Sequence, residues 1–189
     1  MSKFKSKFFN SAKEIKKTST IVTMALLISI KIVLGLLTIS ISDKLKISIS
    51  FIPIAAIGVL FGPIAGAIAG FIGDVVGFIV NPGSGAFFFG YTITAVISGL
   101  IWGIVLYEEG ISVKRILLCK IFINIVLNVG LNSFWLYLTT GKAVIAYMPF
   151  RILKNILMLP IEVALLCICI RFILDIFNYV FKDNLGKLR

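Results

Sequence analysis

Between Pro149 and Pro160 the chain reads Pro149-Phe150-Arg151-Ile152-Leu153-Lys154-Asn155-Ile156-Leu157-Met158-Leu159-Pro160, placing two fixed cations and an amide in an otherwise apolar segment. A charge held in hydrocarbon costs about 2.5–3.5 kcal/mol on insertion scales. Arg151 and Lys154 therefore call for an anionic counterpart, either a ligand or lipid headgroups reached by snorkelling. A second polar row runs through Asn124, Asn128 and Asn132 at steps of four, with Trp135 three further on, along one slowly spiralling helix face. Asparagine in a membrane helix needs a partner, another helix or a ligand. Asn124 reads as interhelical glue, and Asn132 as a candidate for ligand. Arg and Lys suit carboxylates, Arg in bidentate fashion. Asn and Asp suit a ring of mixed donors and acceptors, and Tyr, Phe and Trp suit a flat aromatic body.

No catalytic grouping accompanies these residues. The chain has no histidine, which removes the commonest general base and metal ligand, and it shows no nucleophile–base pair. There is no phosphate-binding loop of the Walker type, so the chain does not itself use ATP. Cys119, Cys167 and Cys169 all lie in apolar runs and read as packing residues, not disulfides or metal ligands. What is left is a binding site without an engine, suited to uptake of a flat aromatic anion with energy supplied by another protein.

The elements that position these residues follow from composition. Of 189 residues, 59% are hydrophobic and 14% charged, well below the quarter expected of a soluble domain, and the apolar residues come in membrane-length blocks. The net charge of +11 sits mainly at segment ends, which points to orientation in a bilayer and not to nucleic acid. The reading is an all-α integral membrane protein with six transmembrane helices: a basic amphipathic lead over 1–17, a six-helix substrate-binding domain over 18–181 and a tail over 182–189. The lead resembles a signal-peptide n-region, but the apolar run after it is too long for an h-region, so it reads as a surface segment drawn to anionic lipid.

The spans are expected at about 18–40, 51–61, 63–80, 86–106, 116–138 and 148–175, the last running on to 181. Lys31 is an intramembrane cation of the first. An extended loop fills 42–50. The second is too short to cross about 30 Å of hydrocarbon as a helix, so it tilts into the bundle or borrows from that loop. Gly62, Gly66 and Gly70 repeat every fourth residue, a spacing for close helix approach, and Asp74 continues the row. The lead, the 108–115 connection and the tail hold eleven Lys and Arg, the opposite loops three, namely Lys44, Lys46 and Lys142. The positive-inside rule then sets both termini in the cytoplasm of a multi-pass cell-membrane protein. That topology gathers Lys46, Ser84, Tyr91, Asn132, Trp135 and Arg151 at the outer half.

Several stretches carry a family resemblance, in order, across about 20–165. They are Lys46-Ile47-Ser48 followed by Phe51-Ile52-Pro53-Ile54-Ala55, then Leu60-Phe61-Gly62-Pro63, Gly70-Phe71-Ile72-Gly73-Asp74 and Asn81-Pro82-Gly83. Phe88-Phe89-Gly90-Tyr91-Thr92, Leu131-Asn132-Ser133-Phe134-Trp135-Leu136 and Pro149-Phe150-Arg151 through Lys154-Asn155 to Pro160-Ile161 complete the set. The chain resembles the substrate-binding S components of energy-coupling factor (ECF) vitamin transporters, specifically the folate-specific members.

The resemblance implies a six-helix protein, not an enzyme, that binds folate or reduced folates from outside. It implies partnership with a transmembrane coupling protein and two cytoplasmic ATPases, with no cofactor or metal of its own. Arg151, Lys46 and Lys154 would hold the glutamate carboxylates or polarise the ring carbonyl. Asp74 or Asn132 would read the pterin edge, Phe89, Tyr91 and Trp135 would flank the rings, and Asn155 is a further substrate-binding candidate. Lys154, a turn deeper than Arg151, is open to a second role as partner of Asp74. A small-residue face on the first helix meets the coupling protein in this family, and Ala25 and Ser29 are its counterparts here, with serine in place of the expected alanine. Lys46 stands where the family often has Arg, which keeps the charge and loses the planar fork. The rival readings are the same fold serving riboflavin or a thiamine precursor, and a non-transporting membrane scaffold.

Overall fold

The longest apolar run becomes the central element of the bundle. In the computed structural model, which describes residues 3–42, 45–82, 86–109, 111–141 and 144–180, α3 spans Phe51–Val80 and is interrupted only at Gly62 (φ 88°, ψ −172°). That backbone conformation favours glycine, and Pro63 has no N–H to continue the ladder. The two halves are the segments expected as separate second and third spans. The first half is buried on nearly every side, so a run too short to span is instead the packed centre.

Around it the order is α1 Lys3–Glu14, α2 Thr18–Leu36, strands β1 Ile39–Ser42 and β2 Leu45–Ile47, α3, α4 Phe89–Leu106, α5 Val113–Phe122, a π-helical stretch Ile123–Leu131, α6 Asn132–Thr140 and α7 Val144–Val180. Five helical runs among the described residues are long and apolar enough to cross a membrane: Thr18–Leu36, Phe51–Val80, Phe89–Leu106, Val113–Thr139 and Met148–Phe177. The count of six is reached only by dividing α3 at Gly62. The segment expected as a plain extended loop pairs with the end of the first expected span: β1 and β2 form an antiparallel hairpin with an irregularity between Ser40 and Ser42. The alternation that suggested extension there also suits a hairpin.

α3 belongs to two apolar clusters. One face takes Met24, Leu27 and Ile28 of α2, and the other presents Ile52, Ala55 and Val59 to Trp102, Ile116, Leu127 and Leu166. The seam with α4 is closer still. A Cβ on Gly66 would strike the Gly99 carbonyl, one on Gly99 the Gly66 carbonyl, one on Gly70 the Ala95 carbonyl and one on Gly103 the Pro63 backbone. Backbone thus lies on backbone along this face, the arrangement that small residues permit in membranes.

The basic lead folds as α1 and docks at the break. Ser11, 0% exposed, donates its hydroxyl to the Phe61 carbonyl at 2.7 Å and accepts from the Ile64 and Ala65 amides at 3.1 and 3.3 Å. One side chain thereby satisfies backbone groups on both sides of the interruption. Lys7 donates to the Ile104 carbonyl at 3.0 Å and pairs with Glu109 at 3.3 Å. Glu109 also meets Arg115 at 2.7 Å, and these two cations hold its carboxyl below the usual carboxylate range.

Gly99→Leu should destabilise the purified protein by about 1–3 kcal/mol or prevent folding, because neither backbone can yield without parting the seam. Gly35→Ala, with nothing within 4 Å of the added methyl, should leave the melting temperature unchanged or slightly raised. Thermal denaturation in detergent compares the two.

Candidate functional site

Between α3, α4, the α5–π–α6 run and α7 lies a cavity of about 480 Å³. Four of its lining residues are charged: Arg151, Lys154 and Glu162 from α7 and Lys120 from α5. Amides come from Asn128, Asn132 and Asn155, and flat apolar surface from Phe51, Tyr91 and Trp102, while Ser48 and Ser50 close the side toward the hairpin.

The α7 residues are positioned by helix period. Arg151, Asn155 and Glu162 recur at spacings of four and seven, which keeps them on one face. Arg151 Nη1 donates to Ser133 Oγ at 3.1 Å, and Asn155 Nδ2 donates to the Arg151 carbonyl at 2.9 Å. The guanidinium is thus braced on a neutral hydroxyl, with Tyr91 within electrostatic reach. Lys154 lies within reach of Glu162 and Arg151.

The opposing wall carries the asparagine row. Four residues overshoot an α-helical turn of 3.6 and fall short of the wider π-turn. The π-helical stretch Ile123–Leu131 therefore offsets the drift of an α-helical row, and Asn128 and Asn132 both reach the cavity. Asn128 Nδ2 donates to Asn124 Oδ1 at 2.8 Å, and Asn124 Nδ2 to Glu162 Oε2 at 3.5 Å. Lys120, its side chain 3% exposed, meets the same oxygen at 3.3 Å and sits 3.5 Å from the Phe51 ring centroid. A continuous polar ladder, Lys120–Glu162–Asn124–Asn128, thus leads up to Asn132. Asn132 Oδ1 differs: it is buried and has no hydrogen-bond partner among the described residues. An orphaned buried acceptor in a cavity wall is a place for a ligand donor.

Of the residues expected at the site, Tyr91, Asn132, Arg151, Lys154 and Asn155 come together on this cavity. Trp135 stands behind it, donating Nε1–H to Thr94 Oγ1 at 3.1 Å and packing on Phe88 with ring centroids 5.7 Å apart. Phe89 turns outward and is 56% exposed. Asp74 is not on the cavity. It accepts from Thr92 Oγ1 at 2.8 Å at the α3–α4 seam, within reach of Lys31, whose ammonium donates to the Gly73 carbonyl. The carboxylate near Lys154 is therefore Glu162, not Asp74. The Lys46 side chain, Ser84 and the tail lie outside the described residues. Ala25 and Ser29 are exposed on α2, with Ser29 Oγ donating to the Ala25 carbonyl at 2.9 Å.

Lys120, Asn128 and Glu162 were not expected at the site, yet signals for them exist. Lys120 stands four residues before Asn124 and extends the step-of-four row, and Glu162 continues the Arg151–Asn155 face. Ser48, Ser50, Ser98 and Trp102 also line the cavity and carry no comparable pattern.

Residues 19–170 match the family model described as ECF transporter, substrate-specific component. The folate transporter FolT of Clostridium novyi (strain NT) is 34% identical over 171 residues, covering 89% of this chain and 99% of that protein. The folate transporter FolT of Leuconostoc mesenteroides subsp. mesenteroides is 33% identical over 155 residues, covering 78% of this chain and 82% of that protein. Among solved structures, the crystal structure of FolT bound with folic acid superposes with a TM-score of 0.72 at 31% identity, over 78% of this chain and 88% of that one.

The Lys120–Glu162 pair provides a test of the wall itself. Lys120→Met removes the cation that meets Glu162 at 3.3 Å and leaves Lys154 within its reach, so it should cost about 1.5–3 kcal/mol of stability. The double variant Lys120→Met/Glu162→Leu should regain most of that loss. Thermal denaturation of the two purified variants against the parent checks both expectations.

Proposed function

The chain belongs to the family of ECF transporter substrate-specific components, and we propose that it captures folate in the cavity between α3 and α7. The observation that carries this reading is the charge and polarity of the lining. Three cations stand against one carboxylate, a net of two positive charges inside an apolar bundle, and a ligand with two carboxylates offsets it. Folate has two carboxylates on its glutamyl end, a benzoyl linker and a flat pterin with several N–H donors. Arg151 and Lys154 suit the carboxylates, Tyr91 and Trp102 suit the rings, and the orphaned Asn132 Oδ1 suits a ring N–H.

Uptake in this reading is a division of labour. The chain supplies selective capture, and ATP is used by two partner ATPases acting through a transmembrane coupling protein. Ala25 and Ser29, exposed on α2, present the small-residue face to that coupling protein. With α3 divided at Gly62 the chain crosses the membrane six times. Both termini then lie in the cytoplasm, where the basic lead and the 108–115 connection satisfy the positive-inside rule. The β1–β2 hairpin and the start of α7 then face outward, so the cavity opens toward the medium from which folate is taken.

Two measurements test the ligand and its orientation. Arg151→Ala should weaken equilibrium binding of folic acid to the purified protein by about 30-fold or more, the usual cost of removing one partner from a buried charge pair. Riboflavin and thiamine should not compete. Unchanged affinity in that variant, or competition by a neutral flavin, excludes the carboxylate role. Asn132→Leu should erase discrimination between folic acid and its 2-desamino-2-methyl analogue. The parent should show a preference of about ten- to a hundredfold, because the analogue leaves the Asn132 carbonyl unpaired. An undiminished preference in Asn132→Leu assigns the ring edge to another residue.

A further inference from the structure

α1 presents two faces of different chemistry. Its inner face is used up within the protein: Ser11 spans the Gly62 break, and Lys7 is held by the Ile104 carbonyl and Glu109. Its outer side carries exposed Lys3, Lys5 and Lys13, and Lys16 and Lys17 follow, also exposed. Glu14 is the acid of this segment and is bridged to Lys17 at 2.8 Å. Between Lys5 and Lys13 on this side Phe9 is 54% exposed, and the Lys13 ammonium lies 4.3 Å from its ring centroid.

The location of α1 limits what can meet this face. α1 ends at Glu14 and the membrane run α2 begins at Thr18. The three intervening residues span at most about 10 Å when fully extended, so α1 cannot leave the headgroup region. A short helix with lysines and an aromatic ring exposed on one face, held at that depth, matches an interfacial helix and not a solvated one.

We propose that the outer face of α1 is a seat for an anionic bilayer surface, with its lysines on lipid phosphates and Phe9 in the headgroup layer. Anionic lipid then holds α1 down from outside while Ser11 and Lys7 hold it from inside. The same helix that contacts lipid closes the backbone of the central helix at its break. Lipid composition therefore bears on how firmly the Phe61–Ala65 region is fixed.

Hydrogen exchange of the full chain, reconstituted in nanodiscs of phosphatidylcholine alone or mixed with phosphatidylglycerol, tests this. Amides of residues 3–14 and of Phe61, Gly62, Ile64 and Ala65 should exchange more slowly in the anionic discs, by roughly fivefold per seated lysine. The gain should collapse near 1 M salt, where the screening length falls to about 3 Å. Combined Lys3→Gln, Lys5→Gln, Lys13→Gln and Lys16→Gln substitutions, all at exposed positions, should remove the lipid effect while folic acid binding stays intact. Equal exchange in both discs overturns the proposal, as does a lipid effect that persists in the variant. Protection of α1 that appears only on adding the ATPase and coupling subunits assigns the face to a protein and overturns it equally.

Discussion

In a bilayer the lipid is as apolar as leucine, so burying apolar surface does not press helices together as it does in water. Close packing must supply the adhesion. The α3–α4 seam does this with Gly66 against Gly99, Gly70 against Ala95 and Gly103 against Pro63. Because the two backbones touch there, α4 brings Trp102 against Gly58, where an added Cβ would lie 2.9 Å from the Trp102 Cβ. The longer side chains of α5, α6 and α7 hold those helices farther from α3. The cavity occupies that wider side. Close packing on one flank and a pocket on the other are two consequences of the same central helix.

Polar groups inside such a bundle need partners, and their pairing separates structural charges from available ones. Lys31, Gly73, Asp74 and Thr92 satisfy one another across α2, α3 and α4. That group ties α2 to the seam, away from the cavity. Lys120 and Glu162 satisfy one another with Asn124, but they do so at the cavity wall, beside Lys154 and Arg151. The positive excess and the unmatched Asn132 carbonyl fall in one place. A buried excess charge and an orphaned acceptor are both costly in the empty protein, and a ligand that supplies anions and a donor relieves both at once.

The cations and amides of the site were legible because intramembrane polarity is rare enough to mark function. Arg151, Asn155 and Asn132 stand out from apolar neighbours, and helix period puts the first two on one face. Asp74 is equally conspicuous, but its place depends on which face of α3 lies against α4, and there it meets Thr92 at the seam. The glycine row indicated a close contact without naming the partner helix. Phe89 beside Tyr91 could not be assigned to the cavity or the lipid, since two residues apart on a helix are about 200° apart and only the packing of α4 decides which points inward. The π-helical stretch had no sequence signal, yet it keeps Asn128 and Asn132 on a common wall.

The first half of α3 connects the two ends of the molecule. Phe51 opens it at the cavity, with its ring beneath the Lys120 ammonium, and Phe61 closes it, with its carbonyl on Ser11. The segment between them is buried on nearly every side, and well-packed interiors transmit displacement because they have little free volume to absorb it. Gly62 is the one point where the helix ladder is already broken, so the two halves of α3 can change their mutual angle there without breaking a further helical hydrogen bond. The seam along Gly66, Gly70 and Gly99 keeps the second half of α3 fixed to α4. Both halves of α3 therefore lie close on α4, the first through Gly58 against Trp102 and Gly103, the second through Gly66 and Gly70.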